Sequence, residues 1–369
     1  MPTRRATHGQ FGPIIVKGYG TLSYRLRNHR GIALLSIVCT EPGSLAIEDR
    51  PRPPRAEDEV LIRIRRVGIC GTDFHIFRGK QPFLSYPRLI GHEFSGEVAE
   101  APGNSALVAG DRVAVMPYLS CGTCIACRRG KTNCCTRLEV LGVHRDGALT
   151  EYVSVPAAFV VKTNGLSFDD AAMIEFLSIG AHATRRAQVS TAERVLVVGA
   201  GPIGLAATAF CKLRGAEVTV VDSRQDRLEF SRSALSADHI VPLNKETRDE
   251  LGSLTAGEFF DVVFDATGNP QAMETGFGYV AHGGRYALIS VVSADIRFSD
   301  PEFHKREMTL LACRNATLED FAAVSDAILA RKIPTAAFNT HRSTLSAVPE
   351  VLPRWADPAS GVIKALVDI

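Results

Sequence analysis

The sequence predicts an α/β protein with a β-rich lobe first and a doubly wound parallel sheet after it. Three observations carry this expectation. Short strand-like runs separated by Gly and Pro fill residues 33–161. From residue 193 onward, strand-like and helical stretches alternate, as parallel winding requires. At the junction, a G-x-G-x-x-G turn follows one strand and opens one helix. At 369 residues and 46% apolar composition, the chain is long enough to bury two ordinary cores.

Residues 1–33 carry scattered arginines and no convincing periodicity. An acid-poor, Arg-rich composition suits a transit peptide. An extension from an upstream start codon has the same look, and that reading is preferred here. The segment is expected to be poorly ordered, and it lacks the apolar core and cleavage site of a secretion signal. Residues 1–40 hold six basic residues and no acid, so the overall charge of +2 leaves −4 for residues 41–369. A mildly acidic body argues against nucleic acid as a partner. No apolar run reaches the length of a membrane span. A small-molecule substrate is the expected partner, with no nucleic acid and no membrane.

ALLSIVC at 33–39 reads as a strand, followed by a Pro-rich link, RPRPP, at 50–54. Val60, Ile62 and Ile64 alternate with Leu61, Arg63 and Arg65, the period of a half-buried strand that runs into Gly68 and Cys70. FSGEVAEA at 94–101 and DRVAVMPY at 111–118 continue the pattern, and LGVHRDGALTEYVSVP at 141–156 returns to strand and turn. A helix is expected over 169–188, with Ser167 or Asp169 as its N-cap.

VGICGTDFH at 67–75 and GHE at 91–93 bring together Cys70 and His92, donors that a catalytic Zn²⁺ prefers. The alternative is a buried Cys and a satisfied core His that happen to lie 22 residues apart. Glu93 adjoins His92, and Asp73 is placed to support a metal-bound imidazole. Thr72 and His75 supply the hydroxyl and imidazole of a proton relay. Glu175 lies among Met173, Ile174, Phe176 and Leu177, where a carboxylate needs a partner. A metal would satisfy it; otherwise it lies on the polar side of its helix.

Five of the nine cysteines crowd into residues 121–135. Cys121, Cys124, Cys127 and Cys135 give C-x2-C-x2-C-x7-C, which fits a closed, structural zinc site in a reducing compartment. An iron–sulfur site starts with the same spacing but continues x3-C-P, whereas here the gap is seven and Thr136 follows. Cys134 is one residue short of the spacing.

VLVV at 195–198 precedes Gly199, Gly201 and Gly204, and a second strand, EVTVVD, ends at Asp222. The glycines make the turn, admit a pyrophosphate and let helix and strand pack. Asp222 lies 18 residues past the last glycine, near the ~20 expected for a carboxylate on the adenosine ribose. It disfavours a 2′-phosphate, so NAD is expected over NADP, although Arg224 and Arg227 lie close behind. Pro202, Ile203, Ser223, Arg227, Thr267 and Gly268 complete the candidate cofactor residues. Strands HIVPL, DVVFDATG and GGRYALISVV follow, then a helix over 318–331 and a strand-like tail, VIKALVDI, that rejoins the first lobe.

A β-rich lobe with Cys…Gly-His-Glu, then a four-cysteine lobe, then a Rossmann unit resembles the zinc-dependent medium-chain alcohol/polyol dehydrogenases over residues 34–369. The resemblance implies a GroES-like catalytic domain (34–178 and 315–369), a Rossmann NAD-binding domain (179–314) and an active site between them. It implies Cys70, His92 and Glu175 as ligands of a catalytic zinc, with Glu93 as a neighbouring or exchangeable ligand. Thr72 would touch substrate, His75 would relay the proton outward, and Asp73 would support His92. Glu175 points to the sorbitol, threonine and sugar-acid branch. QPFLSYPRLIGHE, TNCCTRLEVLGVHRDG, RFSDPEFHKRE and RNATLEDF are similar to its sugar-acid members. One departure is Phe176, where relatives usually have Pro.

The expected reaction is hydride transfer from a secondary alcohol to NAD⁺. L-galactonate at C5 is the first substrate, with a polyol or L-threonine as alternatives. Arg314 and Asn315 are candidates to meet an acid substrate; a structural salt bridge is the other reading of Arg314. A non-catalytic NAD- and zinc-binding sensor is the rival from another class. The family implies a cytoplasmic homo-dimer or homo-tetramer.

Overall fold

The alternation at Val60, Ile62 and Ile64 extends into an eleven-residue strand, Glu59–Ile69, that delivers Cys70 at its end. The computed structural model describes residues 33–163 and 165–369; the expectation for residues 1–32 lies outside them. Glu59–Ile69 is central to a seven-stranded sheet ordered Val160–Lys162, Arg112–Val115, Glu93–Glu100, Glu59–Ile69, Lys364–Asp368, Asn339–Thr344. Tyr152–Pro156 also pairs with Glu59–Ile69. The tail rejoins this lobe as expected: Leu366 pairs antiparallel with Gly68, and the same strand runs parallel to Asn339–Thr344.

Strand Ala33–Glu41 pairs with Ser44–Pro51 and Arg88–Leu89 in a separate three-stranded sheet. The Pro-rich link therefore begins later than expected. Arg50 and Pro51 belong to the strand, with Pro51 opposite Ala33 at the sheet's end, a position where a missing N–H is tolerated.

The second sheet is six-stranded and fully parallel. Its order is His239–Pro242, Glu217–Asp222, Arg194–Val198, Phe260–Asp265, Val280–Leu288, Thr309–Ala312. The winding reverses beside Arg194–Val198, the switch point where such sheets take ligands. The edge strand Thr309–Ala312 escaped the sequence reading because it is short and mostly exposed.

The helix expected over 169–188 is two helices. Ser167 caps Phe168–Ala172, accepting from the Asp170 amide at 3.1 Å, and Met173 joins it to Ile174–Arg186. The domain boundary drawn at 178/179 falls inside the second helix. That helix packs on Pro202–Leu213 so closely that a Cβ on Gly180 would stand 2.5 Å from the backbone of Ala206 and Ala207. Phe176 is fully buried and meets Phe338 edge-on at 5.4 Å. Burying such a ring stabilises the fold by about 3 kcal/mol. Among the described residues, no helix is long and apolar enough to cross a membrane.

Gly180→Ala tests this contact. The better helix propensity of Ala contributes about 1 kcal/mol, but overpacking against backbone costs about 1–3 kcal/mol. The variant is expected to unfold at lower urea than wild type.

Candidate active site

Cys70 leaves its strand in an extended conformation and caps the helix Gly71–Phe77, its sulfur accepting from the Thr72 amide at 3.2 Å. Asp73 closes the cap by accepting from the Cys70 amide at 3.0 Å. Its other oxygen accepts from the Gly91 amide at 3.1 Å. One buried carboxylate thus ties together the two loops that carry Cys70 and His92. Its pKa is raised by burial, against the pull of His92.

His92 turns Nε2 toward the Cys70 sulfur at 3.2 Å. The expected Asp73–His92 bond does not form: Asp73 Oδ1 is 4.0 Å from His92 Nδ1, which has no hydrogen-bond partner among the described residues. The carboxylate is already committed to the two amides and supports His92 through the backbone instead.

Glu175 sits in the first turn of its helix and is buried, so the polar-face reading does not hold. Donor atoms of His92, Glu93 and Glu175 lie within 4.8 Å of one another, and those of Cys70, Asp73 and His92 form a second such group. His92 is common to both. Burial raises the Glu175 carboxyl to about 7, helped by Glu93 and opposed by His92. Burial alone would lower the His92 imidazole, but Cys70, Asp73 and Glu175 carry it well above its usual value. Among the described residues, Glu175 Oε2 is buried without a partner. A divalent cation fits this arrangement: soft and hard donors gather around His92, buried carboxylates crowd one another, and one carboxylate oxygen there is unpaired.

Two residues that the sequence reading missed complete the cluster. Tyr118 donates its hydroxyl to Glu175 Oε1. Lys364, 1% exposed, pairs with Glu93 and lies over the Phe176 ring at 4.6 Å. Burial would lower the Lys364 ammonium, but Glu93 and Cys70 outweigh it and raise its pKa. A lone Lys inside the apolar tail was a readable signal, since a buried ammonium needs a partner; Tyr118 gave none. Gly68 makes room, because a Cβ there would meet Glu93 Oε2 at 2.6 Å. Thr72 is half-buried and His75 exposed on the same helix.

The four-cysteine lobe gathers the sulfurs of Cys121, Cys124, Cys127 and Cys135 within 4.8 Å of one another. Cys124 is 3.5 Å from Cys127 and 3.9 Å from Cys135. Tetrahedral thiolates around zinc stand roughly 3.8 Å apart, so the spacing fits. A hydrogen bond from Arg137 lowers Cys121 to about 5, and backbone amides lower Cys124 to about 6. Cys134 is exposed and outside the group.

In the glycine-rich turn, Gly199 takes φ +97°, a Cβ on Gly201 would meet nothing within 4 Å, and one on Gly204 would lie 1.8 Å from the Gly199 carbonyl. Pro202 opens the helix, with Ile203 half-buried behind it. Asp222 accepts from the Ala200 amide at 2.6 Å and the Arg224 amide at 2.8 Å. Ser223 is exposed beside it, and Thr267 donates to Asp265 just before exposed Gly268. Arg227 spends its guanidinium on the backbone of the C-terminal segment. It is buried and donates to the Val362 carbonyl, while Arg224 pairs with Asp226 at 2.7 Å and donates to the Pro358 carbonyl at 2.9 Å.

A donor cluster in a β-rich lobe, joined to a parallel sheet with a dinucleotide turn, defines a metal-dependent dehydrogenase. Residues 56–165 match the alcohol dehydrogenase GroES-like domain, and residues 202–330 match the zinc-binding dehydrogenase family. The chain belongs to the zinc-type medium-chain alcohol dehydrogenases and is an oxidoreductase acting on CH–OH groups. It is 42% identical to L-galactonate-5-dehydrogenase of Escherichia coli K12, over 90% of this chain and 98% of that protein. It is 35% identical to sorbitol dehydrogenase of Bacillus subtilis, over 68% of this chain and 72% of that one. A crystal structure described as the short chain alcohol dehydrogenase rspB of E. coli CFT073, complexed with NADH, superposes with a TM-score of 0.86 at 31% identity. It covers 92% of this chain and all of that one.

Asp73→Ala strands two buried amides at roughly 1–3 kcal/mol each. A loss of about 3 kcal/mol in denaturant unfolding is expected.

Proposed function

We propose that this chain oxidises a secondary alcohol of a sugar acid, L-galactonate at C5 first, with NAD⁺ as hydride acceptor. The observation that carries the chemistry is the convergence of His92 with Cys70 on one side and with Glu93 and Glu175 on the other. The substrate class rests on the 42% identity to the E. coli L-galactonate-5-dehydrogenase.

Cys70, His92 and Glu175 would hold the catalytic zinc, with Glu93 beside them paired to Lys364. Cys121, Cys124, Cys127 and Cys135 would hold the structural zinc. When bound, the catalytic ion supplies Lewis acidity that lowers the pKa of an alcohol. The rest is done by side chains of this protein. Thr72, beside Cys70, takes the departing proton toward His75, which is open to solvent. Burial, with Arg78 and Lys80, holds the His75 imidazole below its usual value, so it is neutral and ready to accept a proton near pH 7.

Gly201 leaves space for a pyrophosphate at the N-terminus of the helix Pro202–Leu213. Asp222 accepts ribose hydroxyls and repels a 2′-phosphate. Arg224 and Arg227 are engaged by the carbonyls of Pro358 and Val362, which favours NAD over NADP. Arg314 is exposed and makes no ion pair among the described residues, so its charge is free for a substrate carboxylate, with Asn315 beside it. A cytoplasmic homo-dimer or homo-tetramer completes the reading.

The test is NAD⁺ reduction with L-galactonate, L-gulonate, L-idonate, sorbitol and L-threonine, with Cys70→Ala as control. L-Galactonate is expected to give the highest kcat/KM; absence of turnover with every secondary alcohol overturns the proposal. Metal analysis should find two zinc per chain, and one in Cys70→Ala. Because the His75 pKa is lowered, its protonation limb in kcat/KM should fall below about pH 6.5. His75→Asn should abolish that limb and lower kcat about a hundredfold.

A further inference from the structure

A buried polar chain joins the four-cysteine lobe to the turn that presents Arg314 and Asn315. Asn133 lies in the turn Thr132–Cys134, between the third and fourth thiol positions, and is 5% exposed. Its amide nitrogen is 2.8 Å from the Arg314 carbonyl and 3.3 Å from His182 Nε2. His182, 6% exposed on the helix that carries Glu175, places Nδ1 2.9 Å from Asp320 Oδ2. Asp320 also receives Arg185 at 2.8 Å, the Thr317 amide at 2.9 Å and the Thr317 hydroxyl at 2.8 Å. Burial would raise its carboxyl, but His182 and Arg185 hold it well below the usual range, so it is an acceptor.

The donors and acceptors close in only one direction. Asp320 as a carboxylate needs the proton on His182 Nδ1, which leaves Nε2 as an acceptor. The two hydrogens of the Asn133 amide are then both used, one on Nε2 and one on the Arg314 carbonyl. Among the described residues, Asn133 is the four-cysteine-lobe side chain that hydrogen-bonds Arg314, at its carbonyl. The adjacent Asn315 stands at φ +53°. That left-handed corner aims whatever precedes it, and Asn tolerates such a φ better than most residues.

We infer that Asn133 and His182 are positioning residues for substrate recognition: they fix the backbone at Arg314 so that its guanidinium meets the carboxylate of an acid substrate. The four-cysteine lobe is then part of the specificity apparatus as well as a staple of the fold. The inference rests on the role proposed above for Arg314.

The experiment compares zinc-loaded wild type with Asn133→Ala, Asn133→Asp and Arg314→Ala. The substrates are the sugar acid identified by the screen and uncharged sorbitol. Asn133→Asp keeps the size and removes both donors, so it still reports if the alanine variant fails to fold. Each Asn133 variant is expected to raise KM for the acid about tenfold, with kcat and the KM for sorbitol within about twofold and two zinc per chain retained. Equal KM increases for acid and sorbitol, or none, would overturn the inference while Arg314→Ala still discriminates. If Arg314→Ala itself fails to discriminate, the role of Arg314 falls, and this inference with it. Loss of zinc from both Asn133 variants would also overturn it, because the residue would then serve the lobe alone.

Discussion

The structure depends on buried carboxylates kept out of water. Cys70 lies 3.2 Å from His92 on one side, Glu93 and Glu175 group with His92 on the other, and buried Lys364 pairs with Glu93. At about 4 Å and an effective dielectric near 20, two like charges repel by about 4 kcal/mol. Lys364 pairs with Glu93, while burial, with Glu93 adding repulsion, raises the Glu175 carboxyl to about 7. A cation held there, as proposed above, would turn repulsion between the carboxylates into shared attraction.

Holding such a cluster in place falls to the side chains packed around it. Asp73 binds the amides of Cys70 and Gly91, so the two loops cannot separate without exposing a buried carboxylate. Tyr118 occupies one oxygen of Glu175 and leaves the other to face the cluster. Phe176 lies beneath the Lys364 ammonium and so takes part in the same electrostatics. The Glu175 carboxylate is held by the Tyr118 hydroxyl, with a ring supporting the lysine beside it.

Much of this was legible in the residues. The spacing of the four cysteines and the strand–turn–helix around Gly199 each specify a local geometry, and the sulfurs and the turn adopt it. Cys70 and His92 could be paired from their donor chemistry, and they lie 3.2 Å apart; Glu175 was joined to them only through the family resemblance. Relationships between distant segments were not legible. The tail was expected in the first lobe, but its register beside Glu59–Ile69, which brings Lys364 to Glu93, is encoded by no local pattern. The break at Met173 and the edge strand Thr309–Ala312 were lost because apolar content there does not follow one period. Asp73 gives its oxygens to the Cys70 and Gly91 amides rather than to His92, since sequence proximity cannot say which of two donors a carboxylate will choose.

The insertion of Lys364–Asp368 between Glu59–Ile69 and Asn339–Thr344 has a consequence during synthesis. The six-stranded sheet is drawn from one unbroken stretch, 194–312, and all its strands are available while the C-terminal segment is still inside the ribosome. The sheet that presents Cys70 must wait for residues 364–368 to emerge and close a loop of about three hundred residues, a slow, non-local step. Until those residues arrive, Glu93 lacks its buried lysine, so the nucleotide lobe is expected from the topology to form before the sheet that presents Cys70 closes.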